Sequence, residues 1–174
     1  MFGALDRLLN RLYSACGYLA AGFLIALMLL VLGSILTRLV GIYVGGLTEF
    51  SGYAMAAASY FALAYTFRAG GHIRVTMLIN RMSPGLRRQV ERFCLVVATG
   101  LTAYLAYYMS QLTYFSWKFE ERSEGADAIL VWIPQSAAAL GSIVLAVCAA
   151  HALVRALAGA PPLEADGDNA AAVE

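Results

Sequence analysis

The chain has 174 residues, of which 61% are hydrophobic and 13% charged, with a net charge of +1 and a mean hydropathy of +0.70. A soluble domain carries about 25% charged and about 45–50% apolar residues, so this composition excludes a single small aqueous core and points to lipid. Cys16, Cys94 and Cys148 are far apart and each lies in an apolar stretch, which excludes a disulfide framework and a metal-ligand spacing.

In chain order, Phe2, Leu5, Leu8, Leu9 and Leu12 share one helical face, with Asp6, Arg7, Asn10 and Arg11 opposite. That pattern predicts an amphipathic interfacial helix before the first span. The stretches Leu12–Thr37, Phe50–Phe67, Phe93–Trp117 and Ala128–Val154, free of Asp, Glu, Lys and Arg, then predict four transmembrane helices, with spans at about 14–37, 47–68, 88–117 and 132–155. Each reaches the about 20 residues that a crossing needs, the second only just. The first apolar run is much longer than the 7–15 residues typical of a secretory h-region, and reads as an anchor rather than a cleaved leader. Gly41, Gly45 and Gly46 predict a turn between the first two spans. In the second loop, Val75, Leu78, Ile79 and Met82 repeat at helical spacing and predict a surface helix. Ser83-Pro84 then supplies an N-cap and a first-turn proline for a helix running through Trp117, about 50 Å long. Residues 161–174 (with Glu164, Asp166 and Asp168) predict a disordered acidic tail after a single membrane domain over 1–160.

Basic residues are distributed unevenly. Arg7, Arg11, Arg68, Arg74, Arg81, Arg87, Arg88, Arg92 and Arg155 fall on one side of the predicted topology; Arg38, Lys118 and Arg122 fall on the other. The positive-inside rule therefore predicts both termini in the cytoplasm. The third loop, outside, is acidic, with Glu120, Glu121, Glu124 and Asp127.

Ionisable side chains are missing from the middle of every span. A charge at the bilayer centre costs about 2.5–3.5 kcal/mol even on lenient scales, so it usually marks a pathway or a relay. Its absence predicts a supporting subunit rather than a self-sufficient transporter or an enzyme. Pro134 is the one in-span proline and has no counterpart in another span, unlike the paired broken helices of many secondary transporters. Glu49 stands at the outer start of the second span, as a headgroup-zone charge or a cation ligand. Arg68 complements the dipole at that helix's end, and Gly70 and Gly71 permit a sharp exit. His72 and His151 lie on one side, the only pair that invites a haem reading; no cofactor is expected. Small residues at Gly52, Ala54, Ala56, Ala58 and Ala62, and the pairs Ala137-Gly141 and Ala138-Ser142, predict close helix packing within the chain or against a partner. Ser110, Gln111 and Thr113 read as interhelical hydrogen-bonding groups, and Tyr114, Phe115, Trp117 and Trp132 as an aromatic belt. No nucleic-acid, phosphate-loop, zinc or nucleophile motif is present.

Glu49, the run Tyr60-Phe61-Ala62-Leu63-Ala64-Tyr65-Thr66-Phe67-Arg68-Ala69-Gly70-Gly71-His72-Ile73-Arg74-Val75, Ser83-Pro84 and Trp132-Ile133-Pro134-Gln135 together resemble the small membrane subunit, DctQ type, of tripartite ATP-independent periplasmic (TRAP) transporters. The likeness covers about residues 10 to 155, and Arg68, Gly70, His72, Ile73 and Val75 are its most specific part. Gln135 departs from it where a tryptophan is more typical, as does the acidity of the third loop. The resemblance implies a three-component system at a bacterial inner membrane, in which this chain has two protein partners. A periplasmic binding protein captures a carboxylate-bearing solute, a large membrane subunit moves it inward on a sodium gradient, and the small subunit scaffolds the large one. Under that reading Glu49, Arg68, Gly70, Gly71, His72, Ile73, Val75, Pro84, Trp132 and Pro134 are structural family positions, and Glu120, Glu121, Glu124 and Asp127 a periplasmic docking surface. A homo-oligomeric exporter using Glu49 and a haem-carrying redox anchor remain as alternatives.

Overall fold

The computed structural model describes residues 3–42, 44–68, 84–125 and 128–159. Within them the chain forms four α-helices: α1 (Gly3–Leu39), α2 (Leu47–Arg68), α3 (Pro84–Lys118) and α4 (Trp132–Leu157). An isolated antiparallel bridge between Arg122 and Leu130 joins the two arms of the loop before α4. The predicted second-loop surface helix and the tail at 161–174 lie outside the described residues.

Three of the helices are long and apolar enough to cross a membrane: α1, α3 and α4. α2, expected as the second of four spans, has the length at 22 residues but is not among the three that are apolar enough. Ser51, Gly52, Tyr53, Ser59, Tyr60, Tyr65 and Thr66 lower its hydropathy; it is flanked by α1 and α4, and its alanines 54, 57, 58 and 64 are buried.

The helices form a row. α2 packs on α1, α4 on α2, and α3 on α4, while α1 and α4 touch only lightly. The core between the first three holds Cys16, Ala20 and Phe61, with Phe23, Ala62, Ala137 and Val144 against it. Phe23 and Phe61 stack there at 6.0 Å with their rings 6° from parallel. Close approach depends on two glycines: Gly17 sits under the Tyr65 ring, and Gly141 sits against the backbone of Tyr60.

α1 stops where glycine allows it. Gly41 has φ +76°, its N–H donates to Arg38 O (3.1 Å), and the Ile42 N–H donates to Thr37 O (2.9 Å). This is a Schellman ending, which needs the left-handed conformation that glycine adopts without a Cβ clash. Pro84 and Pro134 lie in the first turns of α3 and α4, where a missing N–H breaks no intrahelical bond.

One expectation is corrected. No separate surface helix precedes the first span, because α1 is unbroken from Gly3 to Leu39. No proline interrupts residues 3–39. Asp6, expected to face headgroups, turns instead onto α4.

Candidate functional site

Two polar clusters sit at opposite ends of the row. The first gathers the start of α1 and the ends of α2 and α4. Asp6 accepts from His151 Nε2 (2.8 Å) through one carboxylate oxygen and from Arg155 Nη1 (2.7 Å) through the other. His151 Nδ1 lies 3.5 Å from the Tyr13 hydroxyl. With its proton on Nε2, the imidazole donates to Asp6 and accepts from Tyr13, so the donors of the four side chains converge on the Asp6 carboxylate. Beside them Arg68, only 4% exposed, donates through Nη1 to Asn10 O (3.2 Å) and Ser14 Oγ (3.0 Å). Tyr13 and Cys148 are fully buried. The Arg68 head thus covers carbonyl and hydroxyl groups of α1 while its position ends α2, tying the two helices at one level.

The second cluster fixes the loop between α3 and α4. Glu49 Oε2 accepts from Ser123 Oγ (2.9 Å), which in turn accepts from the Tyr53 hydroxyl (3.2 Å) and the Gly125 N–H (3.3 Å). The loop is further closed by Ser123 N–H to Ile129 O (2.8 Å), Val131 N–H to Glu121 O (3.0 Å) and Ser116 Oγ to Glu121 Oε2 (2.6 Å). A Cβ added at Gly125 would fall on the Glu49 carboxylate, so only glycine lets the acid dock there. Gly125→Ala is therefore expected to free the loop. Tryptic cleavage at the exposed Arg122 should quicken severalfold while helix content is unchanged; an unaltered cleavage rate would show that Glu49 does not hold this loop.

Two hollows adjoin these clusters. One of about 100 Å³ is lined by Ser34, Thr37, Arg38, Val44, Gly46, Thr48 and Glu49, room for a few waters at about 30 Å³ each. The other, about 470 Å³ and open, runs along the first turns of α1 past Arg7, Asn10, Arg11, Ser14 and Tyr18. Both lie at helix ends. Among the described residues, no three His, Cys, Asp or Glu side chains come together as a metal site.

The predicted positions divide accordingly. Glu49 and Arg68 anchor the two clusters. Gly70, Gly71, His72, Ile73, Val75 and Asp127 lie outside the described residues. Trp132 and Pro134 open α4, and Pro84 opens α3. Ala54, Ala58, Gly141 and Ser142 are buried, Ala62 and Ala137 pack on the core, and Ala138 accepts the Ser142 hydroxyl (2.7 Å). Gly52 and Ala56 face outward, because the stripe that packs is carried by Ala57 and Ala64. Glu120 and Glu124 are exposed, whereas one oxygen of Glu121 is turned back onto buried Ser116. Sequence reasoning missed the roles of Asp6, Tyr13, Ser14, Ser123 and Gly125. The available signal was the spacing Asp6-Asn10-Tyr13-Gly17, a polar stripe that runs into the small buried residues of α1.

No curated protein matches the sequence significantly. Residues 27–159 match the family described as tripartite ATP-independent periplasmic transporters, DctQ component, a match that spans from the second half of α1 to the end of α4. The chain belongs to this family, whose members are the small membrane subunits of such transporters.

Proposed function

We propose that the chain is a non-catalytic scaffold with four spans and both termini in the cytoplasm of a bacterium. In this reading it holds the large transport subunit in the inner membrane. Its acidic third loop helps dock a periplasmic solute-binding protein during sodium-driven uptake of a carboxylate solute. One observation carries the reading: every Asp, Glu, Lys, Arg and His in the four helices lies near a helix end. A helix row with an ionisation-free middle offers no relay for an ion or an acid, yet it is rigidly fastened at both ends, as a scaffold requires. Glu49, which an exporter would use, is spent on Ser123, and both ring nitrogens of His151 face Asp6 and Tyr13 rather than an open ligand position.

The test is reconstitution. The chain alone in liposomes is expected to give no solute flux, and flux should appear only with the large subunit and the binding protein present. Robust uptake by the lone chain would overturn the scaffold reading. Reversing Glu120 and Glu124 to lysine should lower binding-protein-dependent uptake without lowering the amount of assembled membrane complex. Unchanged uptake would remove the third loop from the docking surface.

A further inference from the structure

The row of helices has two outer edges, α1 and α3, and the two differ chemically. At mid-depth the outward face of α1 presents Leu24, Ile25, Met28, Leu29, Leu32 and Ile35, all at least 46% exposed and all apolar, with no hydroxyl among them. That is a surface lipid tails can cover. The outward face of α3 is different. Leu101, Tyr104, Tyr107, Tyr108, Gln111 and Phe115 lie together on the side opposite the α4 contact, where Ala106 and Ser116 are buried. Tyr104 and Tyr107 are each 63% exposed and Tyr108 is 49% exposed.

The depth of these tyrosines is what makes them informative. The charge-free stretch of α3 runs from Phe93 to Trp117, between Arg92 and Lys118. Its midpoint is residue 105, so Tyr104, Tyr107 and Tyr108 lie within about 4.5 Å of the centre at 1.5 Å per residue. Headgroups are about 15 Å away in either direction, beyond the reach of a tyrosine. Belt tyrosines belong at the interface, where Tyr114 and Trp117 already stand. The Ser and Thr hydroxyls of α3 solve the burial problem internally: Thr99, Thr102, Ser110 and Thr113 each donate to the carbonyl four residues back, at 2.7–2.9 Å. A phenol at the end of a ring cannot reach its own helix backbone. The Tyr108 ring touches those of Tyr104 and Tyr107, with centroids 4.5 and 5.3 Å apart, and among the described residues the three hydroxyls have no hydrogen-bond partner. Three such hydroxyls facing acyl chains would each be left unsatisfied, which hydrocarbon penalises.

We propose that the Tyr104–Tyr107–Tyr108 face of α3 is the surface on which the large membrane subunit docks, through a transmembrane segment carrying small residues and mid-depth hydrogen-bond acceptors. The inference rests on the scaffold reading and adds to it which edge of the row faces the partner. Small residues are required because the rings project as knobs and need recesses between them. The acceptors are backbone carbonyls of an interrupted helix, or Asn, Gln, Ser or Thr side chains. A second copy of this chain fits less well. It would set ring against ring, and Gly100 is the one small residue on that face to relieve the crowding. α1 becomes the lipid edge.

The experiment uses the chain co-expressed with its large subunit and binding protein. A photoreactive benzoylphenylalanine replaces Tyr104, Tyr107 or Tyr108 in one set, and Ile25, Leu29 or Leu32 in another. The expected result is an adduct with the large subunit from the α3 set and none, or lipid alone, from the α1 set. Adducts from α3 to a second copy of this chain or to lipid alone, or large-subunit adducts from α1 instead, would overturn the assignment while leaving the scaffold reading intact. If the large subunit does not co-purify with the unmodified chain, both fail together. As a second measurement, changing all three tyrosines to phenylalanine keeps the rings and removes only the hydroxyls. Retention of the large subunit should then weaken by about tenfold, from the modest strength of three hydrogen bonds in a membrane. Unchanged retention, with helix content intact, would show that the hydroxyls are not what the partner reads.

Discussion

Replacing Asp6 with leucine is expected to loosen the end of the protein where α1, α2 and α4 meet, at a cost of about 3 kcal/mol. Asp6 is the one acid shared by His151 and Arg155, whose side chains are 7% and 18% exposed. Removing it takes away, inside a half-dry pocket, the one carboxylate to which both the imidazole N–H and the guanidinium donate. Removing one partner of a fully buried pair costs about 3–5 kcal/mol; the residual exposure of Asp6 and Arg155 puts this case at the lower end. Cysteine chemistry supplies the readout. Cys148 is fully buried one turn below His151, and Cys94 is exposed and serves as an internal reference. In detergent, N-ethylmaleimide labelling of Cys148 should quicken by about a hundredfold, since each 1.4 kcal/mol is a factor of ten. Labelling of Cys94 should not change. The combined replacement Asp6→Leu, His151→Leu and Arg155→Met should restore most of the protection, because a buried ionic cluster replaced whole by apolar groups of similar size is often neutral. If Asp6→Leu alone leaves Cys148 protected, the cluster does not fasten these helices.

The architecture was largely legible because lipid imposes a simple rule. Uncharged runs bounded by Arg11 and Arg38, Glu49 and Arg68, Arg92 and Lys118 locate the helices and most of their ends, α1 and α3 starting about two turns earlier, and Gly41 and Pro84 mark where one stops and another starts. The clusters were not legible for an equally physical reason. Asp6 and His151 are 145 positions apart, and Glu49 and Ser123 are 74 apart, so no local periodicity links them. Read locally, Asp6 belongs with Arg7 and Arg11 on the wet face of an amphipathic helix. The packing of α4 against the start of α1 is what reverses its direction. The family match begins at residue 27, after Asp6, Asn10, Tyr13 and Ser14, so their contribution emerges only from the contacts. Arg68 shows both sides: its helix-end position follows from sequence, and its 4% exposure and its grip on α1 do not. The small-residue pattern was similarly half informative. It named Gly141, which packs on the backbone of Tyr60, together with Gly52 and Ala56, which face outward, away from the seam that Ala57 and Ala64 occupy.

Gly141 should be the least replaceable residue in the middle of the row. A Cβ at this position would stand 2.8 Å from the carbonyl carbon and Cβ of Tyr60 and 2.9 Å from its carbonyl oxygen. None of these is the tip of a flexible side chain; they belong to the α2 backbone and its first side-chain atom, so relief requires the two helices to separate. Gly141→Ala therefore carries an overpacking cost of about 1–3 kcal/mol, only partly offset by the about 0.5–1 kcal/mol that alanine gains over glycine within a helix. Gly141→Leu should cost more, because the branched side chain has to displace the α2 backbone rather than nudge it. Gly52→Ala and Gly100→Ala supply the contrast, since nothing lies within 4 Å of a Cβ at either site. In the isolated chain those two should raise the midpoint of thermal unfolding slightly, while Gly141→Ala lowers it and Gly141→Leu lowers it further. Equal midpoints for Gly141→Ala and the parent would mean that α2 and α4 are not held at backbone contact. The consequence would reach beyond stability: α3 is carried by α4, so a shift of α4 away from α2 moves the tyrosine edge relative to α1 and changes the width of the face on which a partner subunit would have to fit.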